Sequence, residues 1–181
     1  MQVSLANQRI LVTGASRGIG RAIAQQLSAS GAEVIVHYNA NEEAAKAMLA
    51  DLPTKAHLEA CNLANPTEVS GFIPRLVEKY GPITALVNNA GISPSASDSL
   101  PTADWLAIWE QVMAVNATAV GILCKEFVDQ ARSRGNGRIV MISSRAAFRG
   151  DTPDYLAYAA SKGALVSLMR SIARHYGKEG I

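Results

Sequence analysis

Cysteine is scarce in this chain: two in 181 residues, Cys61 and Cys124. Two thiols cannot build a disulfide framework, and this pair has no close metal-binding spacing. Both sit in apolar-leaning segments, which predicts small buried thiols in a reducing compartment. An excess of one charge is also lacking. Seventeen Lys and Arg stand against fifteen Asp and Glu, for a net charge of +2. Without a basic tail or acidic run there is no footprint for nucleic acid or a membrane surface. Fourteen Gly and seven Pro are ordinary counts and exclude collagen-like or low-complexity chains. No uninterrupted apolar stretch reads as a membrane span. Residues 1–9 are polar and lack the apolar centre of a signal peptide. A soluble cytoplasmic protein is the expectation.

What is present is a core. Hydrophobic residues make up 49% and charged residues 18%, too apolar for a disordered chain. The length suits one domain, 1–181. Five apolar runs have strand length: 9–13, 33–38, 56–61, 83–87 and 138–142. The first, fourth and fifth are nearly continuously apolar, as in strands covered on both faces. Helical spacing fills the gaps, at 19–29, at 41–52 with Asn41 as its cap, and after Asn65-Pro66. Gly71 and Pro74 predict a break in that third helix. A long helix capped at Thr102 runs to about Arg132, and a last one runs from Pro153 to about Tyr176, closed by Gly177. Strand and helix alternate five times, which predicts an α/β fold with a parallel sheet and right-handed crossovers.

The first strand runs into Thr13-Gly14-Ala15-Ser16-Arg17-Gly18-Ile19-Gly20 and then into a helix. Glycines let such a turn adopt positive φ and let backbone approach a pyrophosphate. The helix N-terminus offers unpaired N–H groups to the anion. The spacing is GxxxGxG rather than GxGxxG, and a purely structural turn is the competing reading. NAD sites usually carry a carboxylate at the end of the second strand. Here stand His37, Tyr38, Asn39, Ala40 and Asn41, with no acid. Arg17 in the turn could pair with a 2′-phosphate or lie solvated on the surface. Together these favour NADP(H) over NAD(H). His37 is expected to border the adenosine or simply to pack.

These features and four later ones resemble the short-chain dehydrogenase/reductase family, in order and along nearly the whole chain. The later four are Asn88-Asn89-Ala90-Gly91, Asn116 in Val115-Asn116-Ala117, the pair Ser143-Ser144, and Tyr158-Ala159-Ala160-Ser161-Lys162. The phrasing is most similar to the 3-oxoacyl-carrier-protein reductase branch. The resemblance implies a three-layer αβα Rossmann fold with strand order 3-2-1-4-5. It also implies an NADPH-dependent carbonyl reductase or alcohol dehydrogenase acting on a small molecule. Tyr158 would be the proton donor, or the acceptor in the oxidative direction. Lys162, four residues on and so on the same helix face, would favour the phenolate by its charge and hold the nicotinamide ribose. Ser144 would bind the substrate oxygen as charge develops. Asn116 would anchor a water in the proton path.

For the cofactor the resemblance points to Gly14, Ser16, Arg17, Gly18, Ile19, Gly20, Tyr38 and Asn39. It adds Asn62, Leu63, Asn88, Ala90 and Gly91, besides Tyr158 and Lys162. Asn62 stands where many members have Asp, and it still offers an acceptor oxygen. Ser143 and Ser144 compete for one role. Ser144 is preferred, although its gap to Tyr158 is one residue longer than usual. Tyr155 lacks a partner lysine. Arg145 and Arg149 could meet an anionic substrate or face solvent. The family assembles as homodimers or homotetramers through the long helix and the Tyr158 helix. Its members run longer, adding a sixth and a seventh strand, so this domain is expected to be incomplete at its C-terminus, part of a longer chain. A catalytically silent nucleotide-binding module is the alternative reading.

Overall fold

The computed structural model describes residues 4–181. Five strands form one parallel sheet: β1 (Arg9–Val12), β2 (Glu33–Tyr38), β3 (Ala56–Ala60), β4 (Ala85–Asn88) and β5 (Arg138–Met141). Their order is β3-β2-β1-β4-β5. Register pairs Leu11 of β1 with Ile35 of β2 on one side and Leu86 of β4 on the other. Each expected strand is present, with ends shifted by a residue or two.

The central strands are apolar throughout because both sheet faces are covered. On one face Ile10, Val12, Val34, Val36 and Val87 pack against α1 (Gly18–Ala29) and α2 (Glu42–Leu49) through Ala24 and Met48. On the other, Leu11, Ile35 and Leu86 meet α4 (Phe72–Tyr80) and α6 (Ala119–Arg132) through Phe72, Leu76, Leu123 and Phe127. The result is the expected three-layer αβα arrangement.

Helix boundaries follow local chemistry. Asn41 accepts the Ala44 N–H at 2.9 Å and caps α2. Asn65 accepts the Thr67 N–H at 3.0 Å and caps the single turn α3 (Pro66–Val69). Gly71, at φ +84°, breaks the chain between α3 and α4 as expected. Pro74 lies inside α4 but in its first turn, where no helical hydrogen bond is lost. The N-terminus of α4 has an outside cap, since Glu126 of α6 accepts from Gly71 N at 2.5 Å and Ile73 N at 3.2 Å.

Three expectations need correction. The long helix starts one residue early. Pro101, in extended geometry, is its cap, and Thr102 opens α5 (Thr102–Met113). The run is also not uniform, because a π segment at Ala114–Thr118 separates α5 from α6. By length and composition Thr102–Arg132 could cross a bilayer, which the sequence reading overlooked. In this fold it lies across the sheet, with Leu123, Cys124, Phe127 and Ala131 in the core. A short turn, α7 (Ala146–Arg149), follows β5 and was not anticipated. The last helix, α8 (Leu156–Tyr176), begins after a 3₁₀ turn at Pro153–Tyr155 and ends at Gly177. β5 is the last strand in the sheet order, and its Val140 is exposed.

Candidate active site

The chain builds β1, β2 and β3 to one side of the sheet, then crosses to β4 on the other. A crevice opens where the direction reverses, at the carboxyl ends of the strands. It is a cleft of about 780 Å³. The glycine turn lines it with Gly14, Ser16, Arg17, Gly18, Ile19 and Gly20. Tyr38 and Asn39, Asn62 and Leu63, and Ala90 and Gly91 also line its walls, whereas Asn88, Tyr158 and Lys162 do not.

The turn is held by a dense local network. Thr13 donates its hydroxyl to Val87 O at 3.3 Å and accepts the Asn89 and Ala90 N–H groups, each at 3.0 Å. Asn89 returns two bonds, from Nδ2 to Thr13 O at 2.9 Å and to Gly14 O at 3.1 Å. Thr13 and Asn89 lie within the quoted motifs but had been given no role. They join the first and fourth strands at the cleft. Glycine is required in the turn for two different reasons. A Cβ on Gly14, at φ +63°, would approach Ala90 Cα to 2.9 Å. One on Gly18, at φ +56°, would project into open space. Arg17 precedes α1 with extended backbone and makes no side-chain cap, so the first-turn N–H groups of α1 have no capping side chain.

Two residues of this region are almost fully buried. Asn88 is 2% exposed and donates from Nδ2 to Cys124 Sγ at 3.3 Å, while its Oδ1 has no partner among the described residues. Alternation along β4 turns Asn88 into the α6 side of the core and leaves Asn89 toward the cleft. His37 lines the cleft beside Tyr38 and also packs edge-on against Phe72, and it does more than either. It is 2% exposed and hydrogen-bonded through both ring nitrogens beneath the glycine turn. Asn62 lines the cleft, with its Oδ1 engaged by Ala64 N at 3.0 Å.

Beyond Gly91 and Ile92 stand the other expected residues. Asn116 is fully buried in the π segment. It accepts from Ile92 N at 2.9 Å and donates to Ile92 O at 2.9 Å and to Ser161 Oγ at 3.0 Å. Ser161 in turn donates to Tyr158 O at 2.7 Å. The irregular helical turn and the α8 helix are thereby joined through one buried amide. Lys162 Nζ lies 5.7 Å from the centre of the Tyr158 ring and donates to Ile142 O at 2.9 Å. Burial pulls the Lys162 ammonium below its ordinary pKa.

The two serines differ in their bonding. Ser143 donates to the Lys162 carbonyl at 3.1 Å and is committed to the α8 backbone. Ser144 accepts the Ala146 N–H at 3.2 Å and, among the described residues, donates to none, so its proton remains available. Arg145 and Arg149 are exposed.

The two clusters meet at Gly91, where an added Cβ would lie 3.3 Å from both Asn116 Oδ1 and Lys162 Nζ. Both cysteines are buried, and burial pushes their thiols up to about 11 for Cys61 and about 12 for Cys124. They are neutral thiols outside the chemistry.

Residues 8–181 match the family model described as short chain dehydrogenase. The chain is 34% identical to a 3-oxoacyl-[acyl-carrier-protein] reductase of Synechocystis, covering 98% of this chain and 72% of that protein. It is 36% identical to a 3beta-hydroxysteroid dehydrogenase of Mediterraneibacter gnavus, covering 95% and 62%. It therefore spans about two thirds of the length of such relatives. Among solved structures, it matches a gluconate 5-dehydrogenase from Burkholderia cenocepacia in complex with NADP and tartrate. That match has a TM-score of 0.87 at 30% identity, over 99% of this chain and 70% of that one. A metagenomic short-chain oxidoreductase in complex with NADP matches with a TM-score of 0.87 at 32% identity, over 97% and 79%. The chain thus belongs to the short-chain dehydrogenase family, whose members are oxidoreductases acting on CH–OH and C=O groups.

Proposed function

We propose that this chain is an NADPH-dependent carbonyl reductase, working on a 3-oxoacyl-type substrate or, in reverse, on the corresponding alcohol. The observation that carries the reading is the meeting of the Asn116, Tyr158 and Lys162 cluster with the glycine-lined cleft at Gly91. The residues present fit a dinucleotide. The cleft has the volume of a ligand site, the first turn of α1 offers backbone donors, and Gly18 leaves open space where a side chain would intrude.

When bound, the nicotinamide supplies the hydride. The chain supplies position and the proton. Ser144 donates its hydroxyl proton as a hydrogen bond to the substrate oxygen. Tyr158 delivers the proton to that oxygen, and the neighbouring Lys162 ammonium favours the resulting phenolate. Asn116 fixes the Ile92 backbone beside them. The preference for NADPH rests on Tyr38 and Asn39, which leave the end of β2 without a carboxylate, and on exposed Arg17 at the mouth. NADP in the two similar structures supports the same choice. A homo-oligomer is part of the proposal, supported by the exposed apolar Leu106 on α5 and Met169 on α8.

Tyr158→Phe tests the reading. The variant should lose reduction by about a hundredfold or more while retaining NADPH binding by titration calorimetry. Full turnover in the variant would refute the role of Tyr158. Cofactor binding by the wild type without turnover on any of a wide carbonyl panel would favour the silent module.

A further inference from the structure

His37 is the most deeply placed ionisable group at the cleft, and the proposed reaction has no use for it. Its ring spans two strand ends. Nδ1 lies 3.0 Å from Gly14 N, and Nε2 lies 2.9 Å from Cys61 O. A backbone N–H can only donate and a carbonyl can only accept. One tautomer satisfies both: neutral imidazole, with the proton on Nε2 and the lone pair of Nδ1 facing Gly14. The His37 backbone adds a third tie, since its carbonyl accepts from Ala15 N at 3.0 Å. The N–H groups of the first two residues after Thr13 in the turn are therefore both held by this one residue.

We propose that His37 is a positioning residue for the nucleotide: its neutral ring holds the Gly14 amide, and its protonation releases the glycine turn. This rests on reading the cleft as the dinucleotide site.

Protonation would set an N–H on Nδ1 against the Gly14 N–H, two donors face to face with no acceptor between them. Ala90 crowds one side of Gly14, where an added Cβ would come within 2.9 Å of its Cα. The surroundings contain little to stabilise an imidazolium. The Phe72 ring meets the imidazole edge-on at 5.8 Å between centroids. From the β3 side comes Cys61, whose thiol is held neutral by burial. The charges on the packed helices already have other partners: Arg75 stacks on Phe72 at 5.1 Å, Glu68 accepts from Asn62 N at 2.9 Å, and Glu126 of α6 accepts from Gly71 N and Ile73 N. Burial lowers the His37 pKa, and the bond to Cys61 O opposes it only in part. The ring is therefore neutral at neutral pH and charges only in acid.

The test uses two readouts on the full chain. Ring ¹⁵N shifts of His37 without cofactor give the tautomer and the titration midpoint. NADP⁺ dissociation constants from pH 8 to pH 5 give the linkage. His37→Asn retains an acceptor for Gly14 near the Nδ1 position and does not titrate. His37→Leu removes both ring bonds.

The expected result is the Nε2–H tautomer, with affinity falling by up to about tenfold per pH unit below the ring's midpoint, over and above whatever slope His37→Asn shows. His37→Asn should bind a few-fold more weakly at pH 8 but lack the extra acid loss. An Nδ1–H tautomer, or identical pH profiles in wild type and His37→Asn, would overturn the proposal while leaving the cofactor reading intact. Failure of the wild type to bind NADP⁺ at pH 8 would overturn both. If His37→Leu does not fold, the wild-type ring titration and the His37→Asn profile still decide.

Discussion

Arg17 and Gly91 show how single residues carry separable parts of the proposed chemistry. Arg17 is exposed and touches the cleft but no acidic partner among the described residues. A 2′-phosphate would give it a charge-assisted bond, of the order of 2 kcal/mol. Arg17→Ala should therefore cut the NADPH-over-NADH ratio of kcat/KM by about thirtyfold, with NADH kinetics little altered. An unchanged ratio would remove Arg17 from cofactor selection. Gly91 makes a different point. Its missing Cβ leaves room between Asn116 and Lys162. Gly91→Ala should displace the Lys162 ammonium by tenths of an ångström and lower kcat by about tenfold to a hundredfold. Its melting temperature should change far less than its turnover. The motif tyrosine, lysine and glycines were legible in the sequence because each motif lies in one local stretch. The roles of Thr13, Asn89 and Ser161 were not, because their partners lie in other elements.

Elements in this fold are stopped and joined by a few polar groups. Gly71 has φ +84° and open space around its Cβ position, so it serves the turn between α3 and α4 by backbone freedom alone. Gly71→Ala should cost about 1–3 kcal/mol in denaturant unfolding with kcat and KM intact. A neutral result would show that the two helices can join without the left-handed residue. Asn65 and Asn41 were readable as caps because a cap bonds within three residues of itself. The π segment around Asn116 was not readable. It depends on a buried amide bonding to Ile92 and to Ser161 of α8, and no local pattern encodes those partners. Pro101 displaced Thr102 as the cap of α5 for a similar reason, since the chain enters that helix in extended form from the preceding loop.

Over the whole molecule, one part of the acid response lies away from the cleft. Burial alone would raise the Glu33 pKa. Hydrogen bonds from His57, Arg9 and Lys55 outweigh it and hold the carboxyl near 2 against an ordinary 4.5. The unfolded chain then binds the proton that the folded chain refuses. The stability Glu33 contributes is full above pH 4.5 and is lost as pH falls from there toward 2. Glu33→Gln should flatten the fall of melting temperature across that window. An equal slope in both proteins would remove Glu33 as a source. His37 acts in the same direction at higher pH. Its lowered pKa lets the unfolded state bind a proton first, so stability declines as pH drops below about 6.5.

The alternation of apolar runs and helical spacing determined the αβα layering, because burial on both faces demands continuous apolar strands. The ordered motifs determined the family and the identity of the proposed catalytic residues, because each motif folds within its own turn or helix. Tertiary structure alone decided how adjacent residues of like chemistry are bonded. It turned Asn88 into the core and Asn89 to the cleft, and it committed Ser143 to α8 while leaving the Ser144 proton available. It also placed His37 under the glycine turn. Neighbours in sequence carry the same chemistry, and only the pleat of a strand and the approach of distant backbone give them different partners.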